Sequence, residues 1–307
     1  MSAPPGTGRP RVVIFTDQPG WHGRTLVRQL AERGCEARYA SLSDCALELD
    51  SDTPRVRIPG FDGLPAGAFV RGVAGGTLEE VILRLDVLHA LDLLGVAVYN
   101  RGRAIERTVD KALTSFLLKL RGIPTPATWV LERREEAEAI ARDAFARGRT
   151  LVAKPLFGSQ GDGLQRVTCA EELAALQPHQ GVFYLQEFVE RPSPPYQDFR
   201  VLVVGGVARH AMSRTSAHWV TNRAQGAVCA PVALDTEMRH LAEAACAAVA
   251  ADYAGVDLLR DGAGRWWVGE VNGVPAWWGL QQACGREVGR AIVDGFLAVM
   301  ARRGIQP

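Results

Sequence analysis

The sequence predicts a mixed α/β and α+β protein, and three stretches carry that prediction. Residues 11–99 alternate short apolar runs with segments whose apolar residues recur at helical spacing, the pattern of a small parallel α/β unit. Residues 198–204 and 207–213 flank Gly205-Gly206 as an antiparallel hairpin. Residues 254–272 (AGVDLLRDGAGRWWVGEVN) place Val-, Leu- and Trp-rich flanks around the turn sequence Asp261-Gly262-Ala263-Gly264, a second hairpin.

Each element follows in chain order. Residues 1–10 read as a disordered tail of Pro and Gly. RVVIFT (11–16) is a strand stopped by Asp17-Gln18-Pro19-Gly20, residues 25–33 carry helical apolar spacing, and residues 36–40 form a short strand. The loop after the first strand lacks GxGxxG, so no dinucleotide site is expected there. Phe69-Val70-Arg71 is a buried strand. Thr77-Leu78-Glu79-Glu80 is a capping box opening a helix with Leu78, Val81, Ile82, Leu85 and Leu88 on one face, which stops at Gly95. Residues 96–99 close the first unit as a strand. Asp110 caps a helix over 111–121, which ends at Gly122-Ile123-Pro124-Thr125-Pro126 because two prolines forbid its continuation. A strand (128–131), a charged solvated helix (132–147) and a strand (150–154) lead to Pro155-Leu156-Phe157-Gly158-Ser159-Gln160-Gly161-Asp162-Gly163. Its glycines give a loop whose N–H groups suit phosphates, although such a pattern serves plain turns as often, and no GK[ST] makes it a Walker A loop. After residues 164–167, a short helix and a strand at 182–187 lead to a linker-like break at 190–195, followed by the first hairpin, an Ala-rich helix over 238–251 capped by Asp235, the second hairpin, and an amphipathic helix over 286–302.

Composition narrows the function classes. The chain has 307 residues with 35 Lys plus Arg against 34 Asp plus Glu, so a net charge of +1 selects neither nucleic acid nor an anionic membrane. Six scattered cysteines without a CxxC pair indicate neither a zinc site nor a disulfide framework, which fits a reducing cytoplasm. The start MSAPPGTGRP has no signal-peptide core, and no stretch approaches the ~18 apolar residues of a membrane helix.

The second hairpin carries the metal prediction. With a four-residue turn, Arg260 faces Arg265 and Asp257 faces Val268, so Asp257, Glu270 and Asn272 project from one side. Three oxygen donors without His or Cys suit Mg²⁺. A solvated polar face has the same spacing. The apolar company of Val256, Leu258, Leu259, Val268 and Val271 favours the metal, because acids within such strands are costly unless paired or bound.

Taken in order, the motifs resemble those of the ATP-grasp superfamily, within it the RimK-like ligases that join an amino acid to a carboxylate. They are DK at 110–111 with GIPTPATWV, LVAKPLFGSQGDG (151–163), YLQEFV (184–189), DFRVLVVGG (198–206) with AMSR (211–214), GVDLL (255–259) and GEVNGVP (269–275). The resemblance implies an ATP-grasp fold preceded by a small Rossmann-like α/β N-terminal domain. It divides the chain into a tail (1–10), that domain (11–101), a central subdomain with a phosphate lid (102–187) and a C-terminal subdomain with the magnesium site (188–307). It further implies that Lys111 and Lys154 contact ATP phosphates, that Gly158, Ser159, Gln160, Gly161 and Gly163 belong to the lid, and that Gln186, Glu187, Phe188 and Val189 form the strand bonding adenine. It gives Arg200 and Arg214 to the phosphoryl group, makes Asn222 a catalytic residue, and leaves Asp257, Glu270 and Asn272 for Mg²⁺, with Mn²⁺ as the alternative ion. Read singly, arginines on the first hairpin are usually only solvated.

Two departures from relatives bear on the substrate. The acceptor stretch Trp219-Val220-Thr221-Asn222-Arg223-Ala224-Gln225-Gly226-Ala227 keeps Asn222 and Gly226 but has Val220, Ala224 and Gln225 where glutamate-adding relatives are basic. Trp277-Trp278 follows the metal strand where relatives have small residues; with Trp219, these rings either fill core gaps or form a flat wall for an aromatic substrate. The expectation is an ATP-dependent ligase forming an amide between a carboxylate and an amine through an acyl phosphate, on a small-molecule or cofactor precursor such as a pterin. Modification of a protein terminus, or nucleotide binding without catalysis, are the alternatives. ATP, a small-molecule acid and an amine are the expected partners, with a homo-oligomer as the expected assembly.

Overall fold

The computed structural model describes residues 9–158, 161–191, 194–285 and 288–305. Most of the predicted tail, 1–8, lies outside the described residues. The chain divides into two compact units, one of residues 1–105, 251–253 and 274–307, the other of 106–250 and 254–273. The first unit therefore takes in C-terminal segments that the boundaries drawn from sequence leave with residues 188–307.

The first unit begins with β1 (Arg11–Phe15), α1 (Gly20–Ala31), β2 (Glu36–Ala40), the small pair β3 (Ala46–Glu48) and β4 (Arg55–Arg57), then β5 (Gly67–Val70), α2 (Leu78–Leu93) and β6 (Ala97–Tyr99). Its main sheet runs β2-β1-β5-β6 with every pairing parallel. The order of connection reverses between β1 and β5, which makes their carboxyl ends a topological switch point. The Thr77 capping box forms with both reciprocal hydrogen bonds. The face of α2 differs from the predicted one: Arg84, Val87, Leu88 and Leu91 are buried, while Leu78 and Ile82 are 72% and 47% exposed. The helix is apolar on more than one side, so spacing alone does not choose, and Val87, Leu88 and Leu91 win by packing with Val13, Phe15 and Val70.

Helix α3 (Gly102–Val109) leads to the second unit, which opens with α4 (Lys111–Leu120). A sheet of order β7-β10-β8-β9 follows, built from β7 (Thr128–Leu131), β8 (Leu151–Lys154), β9 (Gln165–Val167) and β10 (Phe183–Glu187), every pairing antiparallel. Helices α5 (Arg134–Ala146) and α6 (Ala170–Ala175) cover it, with Ala137, Ala141 and Leu173 packed onto Leu151, Ala153 and Leu185. A five-stranded sheet has the order β13-β12-β11-β14-β15, from β11 (Tyr196–Val204), β12 (Val207–Ser216), β13 (Val228–Val232), β14 (Tyr253–Arg260) and β15 (Trp266–Asn272). Helix α7 (Thr236–Ala248) is capped by Asp235, whose carboxylate accepts from Met238 N–H at 2.7 Å. The remaining helices, α8 (Trp278–Cys284) and α9 (Val288–Arg302), belong to the first unit, where α9 packs on α1 and β6.

The β14–β15 hairpin departs from the predicted register. Arg260 lies opposite Trp266 and Leu258 opposite Val268, so the turn holds five residues, 261–265, not four. Asp261 favours the longer turn, its carboxylate accepting from Ala263 N–H and Arg265 N–H at 2.9 Å each. The register then shifts between Asp257 and Leu258, leaving Gly269 as the extra residue and Asp257 opposite Glu270.

Candidate active site

The two lysines of the site are delivered by the start of a helix and the end of a strand. Asp110 caps α4 by accepting from Ala112 and Leu113 N–H at 2.9 and 3.0 Å, which fixes Lys111 as the first helical residue. Lys111 Nζ donates to the Gly158 carbonyl at 2.8 Å and stands 4.0 Å from Glu270 Oε1. Lys154 closes β8 and donates to Gln186 Oε1 at 2.6 Å, while Gln186 Nε2 donates to Thr128 Oγ1 at 2.9 Å. Burial, opposed by Glu270 and reinforced by Lys111, lowers the pKa of Lys154 from 10.5 to about 8. Burial also lowers that of Lys111, against Glu270 and Asp110.

A buried ion network crosses β11, β12 and β14. Asp198 and Arg214 are register partners and meet in a two-pronged pair, Nε to Oδ1 and Nη2 to Oδ2, both 2.7 Å. Arg200 grips Asp257 in the same way at 2.7 Å twice, and Arg214 Nη2 stands 3.0 Å from Asp257 Oδ2. Thr221 Oγ1 donates to Asp198 Oδ2 at 2.6 Å. Burial opposes the ionisation of Asp257, yet Arg200 and Arg214 hold its carboxyl below the usual carboxylate range. Arg214, desolvated but flanked by Asp257 and Asp198, is held protonated.

Most of the predicted residues line one cleft of about 1100 Å³, which lies wholly within the second unit. Lys111, Lys154, Gly158, Gly161, Gln186, Glu187, Phe188, Val189, Arg214, Asn222, Asp257 and Glu270 line it. Arg200, Gly163 and Asn272 do not: Arg200 is spent on Asp257, and Gly163 packs on His179 and Pro155. Ser159 and Gln160 lie outside the described residues. In the strand expected to bond adenine, Glu187 N–H and Phe188 N–H already donate to Ala127 and Thr150 at 2.8 Å, and the Glu187 carboxylate takes Arg149 at 2.6 Å. The next donor along the chain is Val189 N–H.

Sequence reasoning passed over three groups. Asp198 sits within the quoted DFR motif, and a lone acid in an apolar strand was the available signal. Thr221 stands beside Asn222. The Gln186 amide, 3% exposed, bridges Lys154 and Thr128, so this side chain matters as much as the strand that carries it.

Asp257, Glu270 and Asn272 share one face of the hairpin and offer only oxygen to a cation. Asn272 Nδ2 donates to the Gly255 carbonyl at 3.3 Å, which leaves its amide oxygen as the available atom. Glu270, with only Lys111 at 4.0 Å as its ion-pair neighbour among the described residues, has lone pairs to spare. This donor set fits Mg²⁺.

The aromatic residues divide. Trp219 lines the cleft, but Trp277 is 1% exposed and packs on His22 and Trp21 in the first unit, so it serves as core and not as an open wall. No helix of the described residues is long and apolar enough to cross a membrane.

Comparison with known proteins gives these parts a family. Residues 108–296 match the RimK-like ATP-grasp domain, a span that contains every residue lining the cleft. The chain is 38% identical over 236 residues to the tetrahydromethanopterin:alpha-L-glutamate ligase of Methanococcus maripaludis, covering 75% of this chain and 78% of the relative. It is 30% identical over 274 residues to the enzyme of that name from Methanosarcina acetivorans, covering 81% of each. In fold it is similar to a RimK domain ATP-grasp protein of Sphaerobacter thermophilus, with a TM-score of 0.69 and 22% identity over 94% of this chain and 99% of that one. The chain belongs to the RimK-like ATP-grasp family and is an ATP-dependent carbon–nitrogen ligase.

Proposed function

We propose that the chain joins an amino acid, through its amine, to the carboxylate of a small-molecule cofactor precursor of pterin type. The convergence of Lys111, Lys154, Arg214, Asp257 and Glu270 on one cleft carries this reading. Lys111 and Lys154 hold ATP phosphates as compact point charges, and Gly158 and Gly161, which line the same cleft, bring backbone groups to them. Of the segment from Gln186 to Val189, the Val189 N–H is the donor that meets the adenine edge, since those of Glu187 and Phe188 bond within the fold. Asp257, Glu270 and Asn272 would hold Mg²⁺, which when bound neutralises charge on the phosphate oxygens. Arg214, oriented by Asp198, faces the transferring phosphoryl group, and Arg200 keeps Asp257 in place.

The reaction needs no side-chain nucleophile. A carboxylate oxygen attacks the γ-phosphorus and ADP leaves; the amine nitrogen then attacks the acyl carbon, phosphate leaves and the amine proton is released. Residues 102–187 and 188–273 supply the two sides of the cleft. The two relatives named above act on tetrahydromethanopterin and glutamate by their names, which favours a pterin acid. Against glutamate as the amino acid stands the 219–227 segment, which offers only Arg223 as a cation. A cytoplasmic homo-oligomer is the setting we expect.

The test is ADP release from Mg·ATP with pterin-type and other aromatic carboxylates crossed against amino acids, with Glu270→Ala as the blank. Turnover that needs both an acid and an amine and vanishes in the blank supports the reading. ATP binding without consumption of any pair counts against it.

A further inference from the structure

A second polar constellation lies entirely within the first unit, at the carboxyl ends of β1 and β5 where the sheet's connections reverse. In open parallel sheets, ligands bind in the crevice at that point. Arg71 directly follows β5 and is half-buried. It donates to the Pro275 carbonyl at 3.0 Å, lies within hydrogen-bond reach of the Tyr253 hydroxyl, and rests over the Trp277 ring at 4.8 Å. All three partners are neutral. Among the described residues no carboxylate pairs with it, and Asp17, in the loop after β1, is engaged by the Ser41 hydroxyl. A half-buried guanidinium whose contacts are all neutral keeps its charge uncompensated and favours an anion beside it.

His22, in the first turn of α1, adds a donor. Its Nε2 accepts from the Trp277 and Trp278 N–H groups at 3.2 and 3.3 Å, at the start of α8. An imidazole nitrogen that accepts carries no proton, so the ring is neutral with its hydrogen on Nδ1. Burial, with Arg71 nearby, lowers the pKa of His22 to about 4 and keeps it so at neutral pH. That Nδ1–H has no acceptor among the described residues. Trp21, half-buried and edge-on to the His22 ring at 5.1 Å, supplies an aromatic surface beside the two donors.

We propose that Arg71 and His22 Nδ1–H form a carboxylate-binding site for a heteroaromatic acid whose ring contacts Trp21. This rests on the reading above that the acid is a small molecule, and it assigns the first unit a part in binding it. The guanidinium supplies charge, the imidazole a neutral second hydrogen bond, and Trp21 the preference for a flat ring.

The experiment is nucleotide-free titration of the full chain with pterin-6-carboxylate, read by tryptophan fluorescence and calorimetry, with unsubstituted pterin as the neutral control. Saturable binding of the acid, at least tenfold tighter than pterin and weakened at least tenfold by Arg71→Gln with an unchanged melting temperature, supports the site. Arg71→Lys, which keeps the charge, should lose less than Arg71→Gln. Equal binding of acid and neutral pterin by the unmodified protein overturns the proposal, with no variant needed. So does no binding at all, or binding unaffected by Arg71→Gln. Because ATP is absent, turnover without this binding refutes the site alone, whereas binding without turnover refutes the ligase substrate reading alone.

Discussion

Asp257 and Glu270 stand opposite one another across β14 and β15, with Gly269 as an extra residue in the ladder. Counted outward from the five-residue turn without that register shift, Asp257 would face residue 269 and the Glu270 side chain would fall on the other side of the sheet. The bulge thus re-aims the carboxylate. Deleting Gly269 carries Glu270 into its place opposite Asp257 in a regular ladder, so that variant should fold and keep ligase activity within about tenfold, whereas Glu270→Ala should lower it by a factor on the order of 10² or more. The checks are Mg²⁺-dependent ADP release, together with circular dichroism to show that the sheet persists.

Arg214 neutralises two buried acids at once, Asp198 at 2.7 Å and Asp257 at 3.0 Å. Arg214→Met should cost about 3–5 kcal/mol of stability at neutral pH, because it strands carboxylates in a desolvated strand face. Arg200 still grips Asp257 in this variant, so Asp257 loses one of the two guanidiniums that hold its carboxyl below the ordinary carboxylate range. That share of the loss should be full above the unfolded carboxylate pKa and shrink as pH falls through it toward the folded value. Urea melts at about pH 7 and about pH 3 decide this; a deficit equal at both would mean that packing, not charge, is what Arg214 contributes.

Gly161 has φ +80°, and a Cβ there would come within 2.8 Å of both Asn222 Oδ1 and Val220 Cγ1. An alanine would meet the left-handed backbone cost of roughly 1–2 kcal/mol and push the glycine loop away from the 219–227 segment. Gly161→Ala should lower kcat/KM about tenfold or more, with a melting temperature shifted by only a few degrees. Steady-state kinetics beside calorimetric melting separate the two effects.

His218 and the cysteines have no place in acyl-phosphate chemistry. His218 Nδ1 accepts from Val220 N–H at 3.2 Å, a role that a glutamine oxygen can take over. His218→Gln and Cys229→Ser should each retain kcat within about twofold. A loss of kcat beyond tenfold in a folded variant would require a side chain that the scheme above leaves out.

The strands and caps were legible where local chemistry decides them. Asp110, Asp235 and the Thr77–Glu80 box are found as capping residues, and residues 36–40 and 128–131 form strands over the expected spans. What stayed hidden depends on partners distant in sequence. The buried face of α2 is chosen by the sheet beneath it, and β13 is a strand because β12 pairs with it. The shared face of Asp257, Glu270 and Asn272 was reached through a turn one residue too short, and it holds because the bulge at Gly269 adds a second residue of offset, so that Asp257 faces Glu270 in place of Val268 and the side chains stay on one side. The grip of Arg200 on Asp257 was likewise invisible, since spacing along a strand does not reveal what lies on its neighbour.

Lys154 gives the pH dependence its sign. Its pKa of about 8 in the folded chain lies below the ordinary 10.5, so between those values the unfolded chain binds more protons and Lys154 contributes stability that rises with pH. ATP should respond in the opposite direction. A triphosphate beside the ammonium favours its charged form, so binding above about pH 8 must carry a proton in, and apparent affinity should fall as pH climbs. Calorimetry at about pH 9 in two buffers of different ionisation enthalpy should report net proton uptake of roughly half to one equivalent, and almost none at about pH 6.5. Lys154→Arg, charged throughout, should abolish the uptake and flatten the affinity profile. Falling affinity alongside undiminished stability separates this from alkaline unfolding, and uptake that survives in Lys154→Arg would move the titrating group elsewhere.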